Sequence, residues 1–167
     1  MIERVVSGGQ IGADRGGLDG AIQFWGNTDR IGGWCPANRR AEDGPIPFKY
    51  PLQETVEWSY PPRTKKNVQE ADGTVIFTGG PLTSGSKLTV KLAEEHCKPY
   101  LHFDITTVTA SEVVDSIADW VDAYDLRVLN VAGSRESTCP GLQEWTASVI
   151  HDTLVEIGAP PCDSGIG

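Results

Sequence analysis

Three stretches combine glycine with small polar residues in the way an oxyanion-binding loop does: Ser7-Gly8-Gly9-Gln10-Ile11-Gly12, Gly79-Gly80-Pro81-Leu82-Thr83-Ser84-Gly85-Ser86 and Gly133-Ser134-Arg135-Glu136. Each follows a short apolar run and leads into an amphipathic segment. Backbone N–H groups exposed by glycine, with a helix N-terminus behind them, could hold a phosphate there. A tight turn alone explains any one of these loops, whereas three at one sheet edge point to a phosphate-bearing ligand. Neither GxGxxG nor GxxxxGK[ST] occurs, and Lys87 follows Ser86 instead of preceding it. A Walker-type ATPase and a standard dinucleotide dehydrogenase both lose ground on that count.

Arginines supply the counter-charge. The 167 residues carry 14 Lys and Arg against 23 Asp and Glu, a net charge of −9, which disfavours nucleic acid as a partner. Residues 30–66 run the other way, with seven basic residues (Arg30, Arg39, Arg40, Lys49, Arg63, Lys65 and Lys66) against four acidic ones, a net of +3. The rest carries seven basic and nineteen acidic residues, a net of −12. Such an island can focus a small anion while the protein repels polyanions. It can equally be a solvated loop whose arginines pair with Glu42, Asp43, Glu54 and Glu57.

Groups for acid–base or covalent chemistry are few. His96, His102 and His151 fall on helix or strand bodies and read as surface or core histidines. Cys35 and Cys139 border the loops but have no histidine beside them in sequence, and read as small buried hydrophobes. Asp14 and Glu136 each close a glycine loop; either could bind a ribose hydroxyl or amino group, and either could cap a helix. The four cysteines (Cys35, Cys97, Cys139, Cys162) form no CxxC pair, and no histidine stands at metal-ligand spacing. Reduced thiols in a cytoplasmic protein, with no metal ligated directly by the chain, are the expectation.

The elements that must position these groups alternate. Val5-Val6 and Gly73–Thr78 read as buried strands, Ile31–Trp34 as a short one, and Pro99–Phe103 and Arg127–Ala132 complete the set. Helical spacing appears over Arg15–Trp25, Arg63–Ala71, after Ser86, behind the Thr109-x-x-Glu112 capping box (Val113, Ile117, Trp120 or Val121, Tyr124), and at Leu142, Trp145, Val149 and Leu154. Gly16, Gly17 and Gly20 weaken the first helix and point to close packing. Cys35 to Pro62 holds six prolines and reads as a long irregular loop, ordered by Phe48, Tyr50, Trp58 and Tyr60. These features predict a single Rossmann-like α/β domain over residues 1–157, a parallel sheet of about five strands with helices on both faces, and a flexible tail over 158–167. No apolar run is long enough to span a membrane.

Several blocks together resemble a known family. Ser7-Gly8-Gly9-Gln10-x-Gly12-Ala13-Asp14-Arg15, Gly32-Gly33-Trp34-Cys35-Pro36, Arg39-Arg40-Ala41-Glu42-Asp43-Gly44-Pro45-Ile46-Pro47, Arg63-Thr64-x-x-Asn67-Val68 and Asn130–Ser137 are similar to the molybdenum cofactor carrier proteins. That group is also classed as a circularly permuted YpsA-like branch of the SLOG superfamily, alongside LOG-type phosphoribohydrolases. The resemblance covers about Val5 to Leu154. It implies a Rossmann-like fold, a dimer or tetramer, and a pocket for molybdenum cofactor (molybdopterin) or a nucleotide. Molybdoenzymes or cofactor-synthesis proteins are the partners it implies. It carries over Gly8, Gly9, Gln10, Gly12, Asp14, Arg39, Arg40, Glu42, Asp43, Arg63, Asn67 and Gly133–Glu136 as ligand-binding residues. Gly79, Gly80, Thr83, Ser84, Gly85 and Ser86 join them from the loop reading. Two departures stand out: Ile11 replaces the usual threonine, and the 79–86 loop lacks the glutamate associated with cleavage in LOG hydrolases. Binding therefore ranks above hydrolysis.

Overall fold

The computed structural model describes residues 1–160. Chain order is β1 (Arg4–Val6), α1 (Ala13–Trp25), β2 (Ile31–Gly32), β3 (Trp34–Cys35), a 3₁₀ turn (Ala37–Arg39), β4 (Gln53–Glu54), α2 (Tyr60–Glu70), β5 (Gly73–Thr78), α3 (Ser84–Glu95), β6 (Tyr100–Asp104), α4 (Ala110–Tyr124), β7 (Val128–Gly133) and α5 (Leu142–Glu156). Five strands form one parallel sheet in the order β2-β1-β7-β5-β6, and β3 pairs with β4 in a separate parallel ribbon. Helices α1 and α4 both pack on α5, while α2 packs on α3. The right-handed rule for parallel crossovers demands this split, because β1→β2 and β6→β7 run toward one edge and β5→β6 toward the other. The Rossmann-like expectation of a five-stranded sheet covered on both faces is met.

The core lies between the sheet and its helices. β5 is buried along its whole length and supplies Val75, Ile76 and Phe77; Leu18 and Trp25 come from α1, Val113, Ile117 and Val121 from α4, and Leu142, Val149, Ile150 and Leu154 from α5. The Thr109–Glu112 capping box forms as the spacing predicts. Glycine sets the α1–α5 distance: a Cβ at Gly20 would strike the Ala147 carbonyl, and one at Gly16 would lie 2.7 Å from the Thr146 Cβ. Tyr124 departs from the expected apolar face and is 61% exposed.

Three boundaries differ from expectation for local reasons. The strand expected over Ile31–Trp34 breaks at Gly33, whose φ of +123° turns β3 into the second ribbon. Helix α2 starts at Tyr60, not Arg63, because Pro61 and Pro62 fall in its first turn, where the missing N–H costs nothing. At the C-terminal end Ala159 is 6% exposed and the Pro160 carbonyl accepts from the Trp25 indole at 2.8 Å, so this part is docked. The flexible tail is expected to start at residue 158; residues 161–167 of it lie outside the described residues. Among the described residues no helix is long and apolar enough to cross a membrane.

Candidate functional site

The carboxyl ends of β1, β7 and β5 lie side by side, which brings the three glycine loops to one edge. α5 follows β7 on one face and α3 follows β5 on the other, so the switch-point crevice falls between the loops after these strands. Cys139 occupies part of it: its Cβ would stand 2.9 Å from any Cβ at Gly79. Burial is the main cause that pushes this thiol up, with Glu136 and Asp104 adding to it.

The first loop is closed upon itself. Gly9 N–H donates to Ser7 Oγ, Gln10 N–H to Asp14 Oδ2, Ile11 N–H to Gln10 Oε1, Gly12 N–H to Gln143 Oε1 and Ala13 N–H to the Ser134 carbonyl. Gly12 and Arg135 form an antiparallel bridge, and Glu136 N–H donates to the Ile11 carbonyl at 3.0 Å. The glycines serve close approach here. Gly8 lies beneath the Arg63 guanidinium, and Gly9 beneath Leu52 and Ile46. Gly133 lies against the Phe77 carbonyl, which also accepts from Ser134 N–H.

The carboxylates of the set are engaged within the chain. Asp14, 4% exposed, accepts from Arg63 Nη1 at 3.1 Å; burial holds its carboxyl above the usual range, against the pull of Arg63. Glu136 accepts from Gly141 N–H and Gln143 N–H at the start of α5, the capping arrangement that its position allows. Asp43 takes a bidentate bond from Arg15 at 2.6 and 2.7 Å, and this contact depresses its carboxyl. Arg15 in turn donates to the Gly9 carbonyl.

Two carried-over residues make extensive contacts within the chain. Arg39 is 6% exposed and gives its donors to the carbonyls of Ile46, Pro47, Tyr50 and Leu52, making it the hub of the proline-rich loop. Four of its five guanidinium N–H donors are thereby engaged within the chain. Asn67 clamps the Trp34 backbone from both sides, N–H at 2.8 Å and carbonyl at 2.9 Å.

The loop after β5 is more open. Gly80 N–H donates to Asp104 Oδ1, and Thr83 with Ser86 forms a capping box on α3, next to Ser84. A Cβ at Gly80 or Gly85 would meet nothing within 4 Å. His102, expected on a strand body away from the loops, bonds Thr78 Oγ1 at 2.6 Å directly beneath Gly80. Burial lowers its pKa, opposed by Asp104.

What the fold gathers is a cationic rim on an aromatic floor. The guanidinium carbons of Arg40, Arg135 and Arg63 stand 4.5, 5.0 and 5.4 Å from the Tyr60 ring centroid, and Arg40 stacks on Trp58 at 3.5 Å. Among the described residues, the buried donors Arg63 Nε and Gln10 Nε2 have no hydrogen-bond partner. Such orphans are costly unless an acceptor meets them. Tyr60, Trp58 and Arg15 are absent from the binding residues picked out by sequence, where Trp58 and Tyr60 are expected only to order the loop. The available signal was spacing, since Tyr60 precedes Arg63 by three residues and so shares its helix face. No group of His, Cys, Asp and Glu able to hold a metal ion exists among the described residues. An open groove of about 650 Å³ lies along α1 and α5 and reaches the glycine loops, lined by Ile11, Asp19, Gln23, Glu136, Gln143 and His151 among others.

The chain is thus a Rossmann-like domain with a cationic, donor-rich rim at the carboxyl edge of its sheet. The chain belongs to the circularly permutated YpsA SLOG family, whose model matches residues 5–154. It is also similar to a crystal structure from Syntrophus aciditrophicus named "Putative molybdenum carrier protein", with 39% identity, a TM-score of 0.85, and coverage of 95% of this chain and 96% of that one. No curated protein matches the chain.

Proposed function

We propose that this chain is a binding or carrier protein for a small oxyanion-bearing ligand, either molybdenum cofactor or a related phosphorylated pterin or nucleotide. The observation that carries the reading is the convergence of Arg40, Arg63 and Arg135 on Tyr60, beside the orphaned donors Gln10 Nε2 and Arg63 Nε. Every free group in that set donates, so the complement is an acceptor-rich anion, and planar guanidinium forks suit phosphate. A flat heterocycle would find Trp58 and Tyr60 beside the anion. A metal would arrive already held by its own cofactor, as cargo, because the rim offers it no protein ligands. The name of the Syntrophus relative favours molybdenum cofactor among these ligands. The reading includes a cytoplasmic homo-oligomer, in which the exposed Phe48, Val56 and Trp58 would be covered.

Hydrolysis of the LOG kind stays second, because Asp14 and Glu136, the carboxylates it would use, are tied to Arg63 and to the start of α5. The test is thermal shift and calorimetry with molybdenum cofactor, molybdate, inorganic phosphate, AMP and GMP. A ligand at a hundred times its Kd adds about 2.7 kcal/mol, a rise of roughly 5–10 °C for a domain this size. Arg40→Ala with Arg135→Ala should abolish the shift. No shift with any ligand, or an equal one in the double variant, ends the reading.

A further inference from the structure

The loop after β7 holds an anion seat that the chain fills with its own carboxylate. Glu42 Oε2 accepts from Ser137 Oγ at 2.8 Å and lies 3.9 Å from Arg135 Nη1, while Glu42 Oε1 accepts from Ser137 N–H at 3.3 Å. A backbone N–H, a hydroxyl and a guanidinium converging on one carboxylate form the donor set that a phosphate oxygen takes. Arg135 also faces Tyr60, so the seat opens onto the cationic rim. Ser137 closes the Asn130–Ser137 block of the sequence but is not among the binding residues picked out from it.

We propose that Arg135 and Ser137 form a phosphate subsite and that Glu42 is its internal stand-in, displaced when the ligand's anionic group enters. This rests on the anion-binding reading above and names the group that gates it. The exchange is local. The Glu42 N–H is held by Gln10 Oε1 at 2.9 Å, so the backbone stays in place while the side chain swings away. The resident contact is weak: the Glu42 and Arg135 side chains are 22% and 47% exposed, and a half-exposed pair at 3.9 Å contributes little. A phosphate dianion brings more charge and more acceptors to the same donors.

Inorganic phosphate is the probe, titrated by calorimetry against the wild type, Glu42→Gln and Ser137→Ala. Removing the competing charge should tighten phosphate binding about tenfold in Glu42→Gln, whereas Ser137→Ala should weaken it several-fold. In the wild type, the Ser137 amide resonance should move on phosphate addition, which tests the exchange without a variant. Equal or weaker binding by Glu42→Gln, or a Ser137 amide that ignores bound phosphate, overturns the inference and leaves the anion-binding reading intact. No binding of phosphate, a nucleotide or molybdenum cofactor by any of the proteins overturns both.

Discussion

The loops after β1 and after β5 look alike in sequence and differ in what their glycines do. In the first, Gly8, Gly9 and Gly12 make room for Arg63, for Leu52 and Ile46, and for the 134–136 backbone, and the N–H groups of residues 9–13 are spent on partners within the chain. In the second, Gly79 lies against Cys139, whereas Gly80 and Gly85 face open space. Glycine therefore marks close approach of the chain to itself throughout the first loop, and beyond Gly79 an unfilled surface in the second. Only the second resembles a loop waiting for a ligand, while the first is a joint that holds the arginine rim in place.

Substitution separates the two roles. Gly12→Ala should do the most damage, since its Cβ would stand 2.7 Å from Glu136 N at a φ of +122°. A loss of about 3 kcal/mol or more is expected, seen as a fall in Tm of roughly 6–12 °C. Arg63→Ala should cost about 3 kcal/mol, because it strands the buried Asp14 carboxylate, and Arg63→Lys should not restore anion binding. Glu136→Ala removes the α5 cap for about 1 kcal/mol; unchanged phosphate affinity would confirm a capping role, and lost affinity would return it to the site. Gly85→Ala, within α3, should stabilise by about 0.5 kcal/mol, and equal destabilisation by Gly12→Ala and Gly85→Ala would erase the contrast.

The smallest effect concerns pH. Asp43 has a folded pKa below its unfolded 3.8, so its pair with Arg15 contributes stability above pH 3.8 that is lost as pH falls through the folded value. Asp14 has the opposite sign: its raised pKa makes folding relatively more favourable on acidification toward pH 3.8. Asp43→Asn should flatten the acid limb of a Tm-against-pH profile below 3.8, and an unchanged limb would remove Asp43 from the joint.

Sequence pattern alone located the sheet and its edge. The Gly73–Thr78 run is β5 without adjustment, and the Thr109–Glu112 spacing is the box that starts α4. β3 was hidden because a glycine at 33 looks the same whether a strand continues or turns away. The loops were visible, but the vacancy of their donors was not. The Gly12 N–H is taken by Gln143, 131 positions away, and no local spacing reports such a bond. Arg39 looked like a free cation beside Arg40, yet four carbonyls of its own loop claim it. The charge island was a sound guide to where arginines gather and a poor one to which of them remain free.

β7 sits between β1 and β5, yet it is synthesised after all the other strands. Until it emerges, β1–β2 and β5–β6 are separate parallel pairs, each with an open inner edge. Closure must then recruit β7 across more than a hundred residues from β1, which makes productive folding late and slow. A nascent chain halted before Val128 would display two sticky edges and no barrier between them, the situation in which chaperones are needed and aggregation begins.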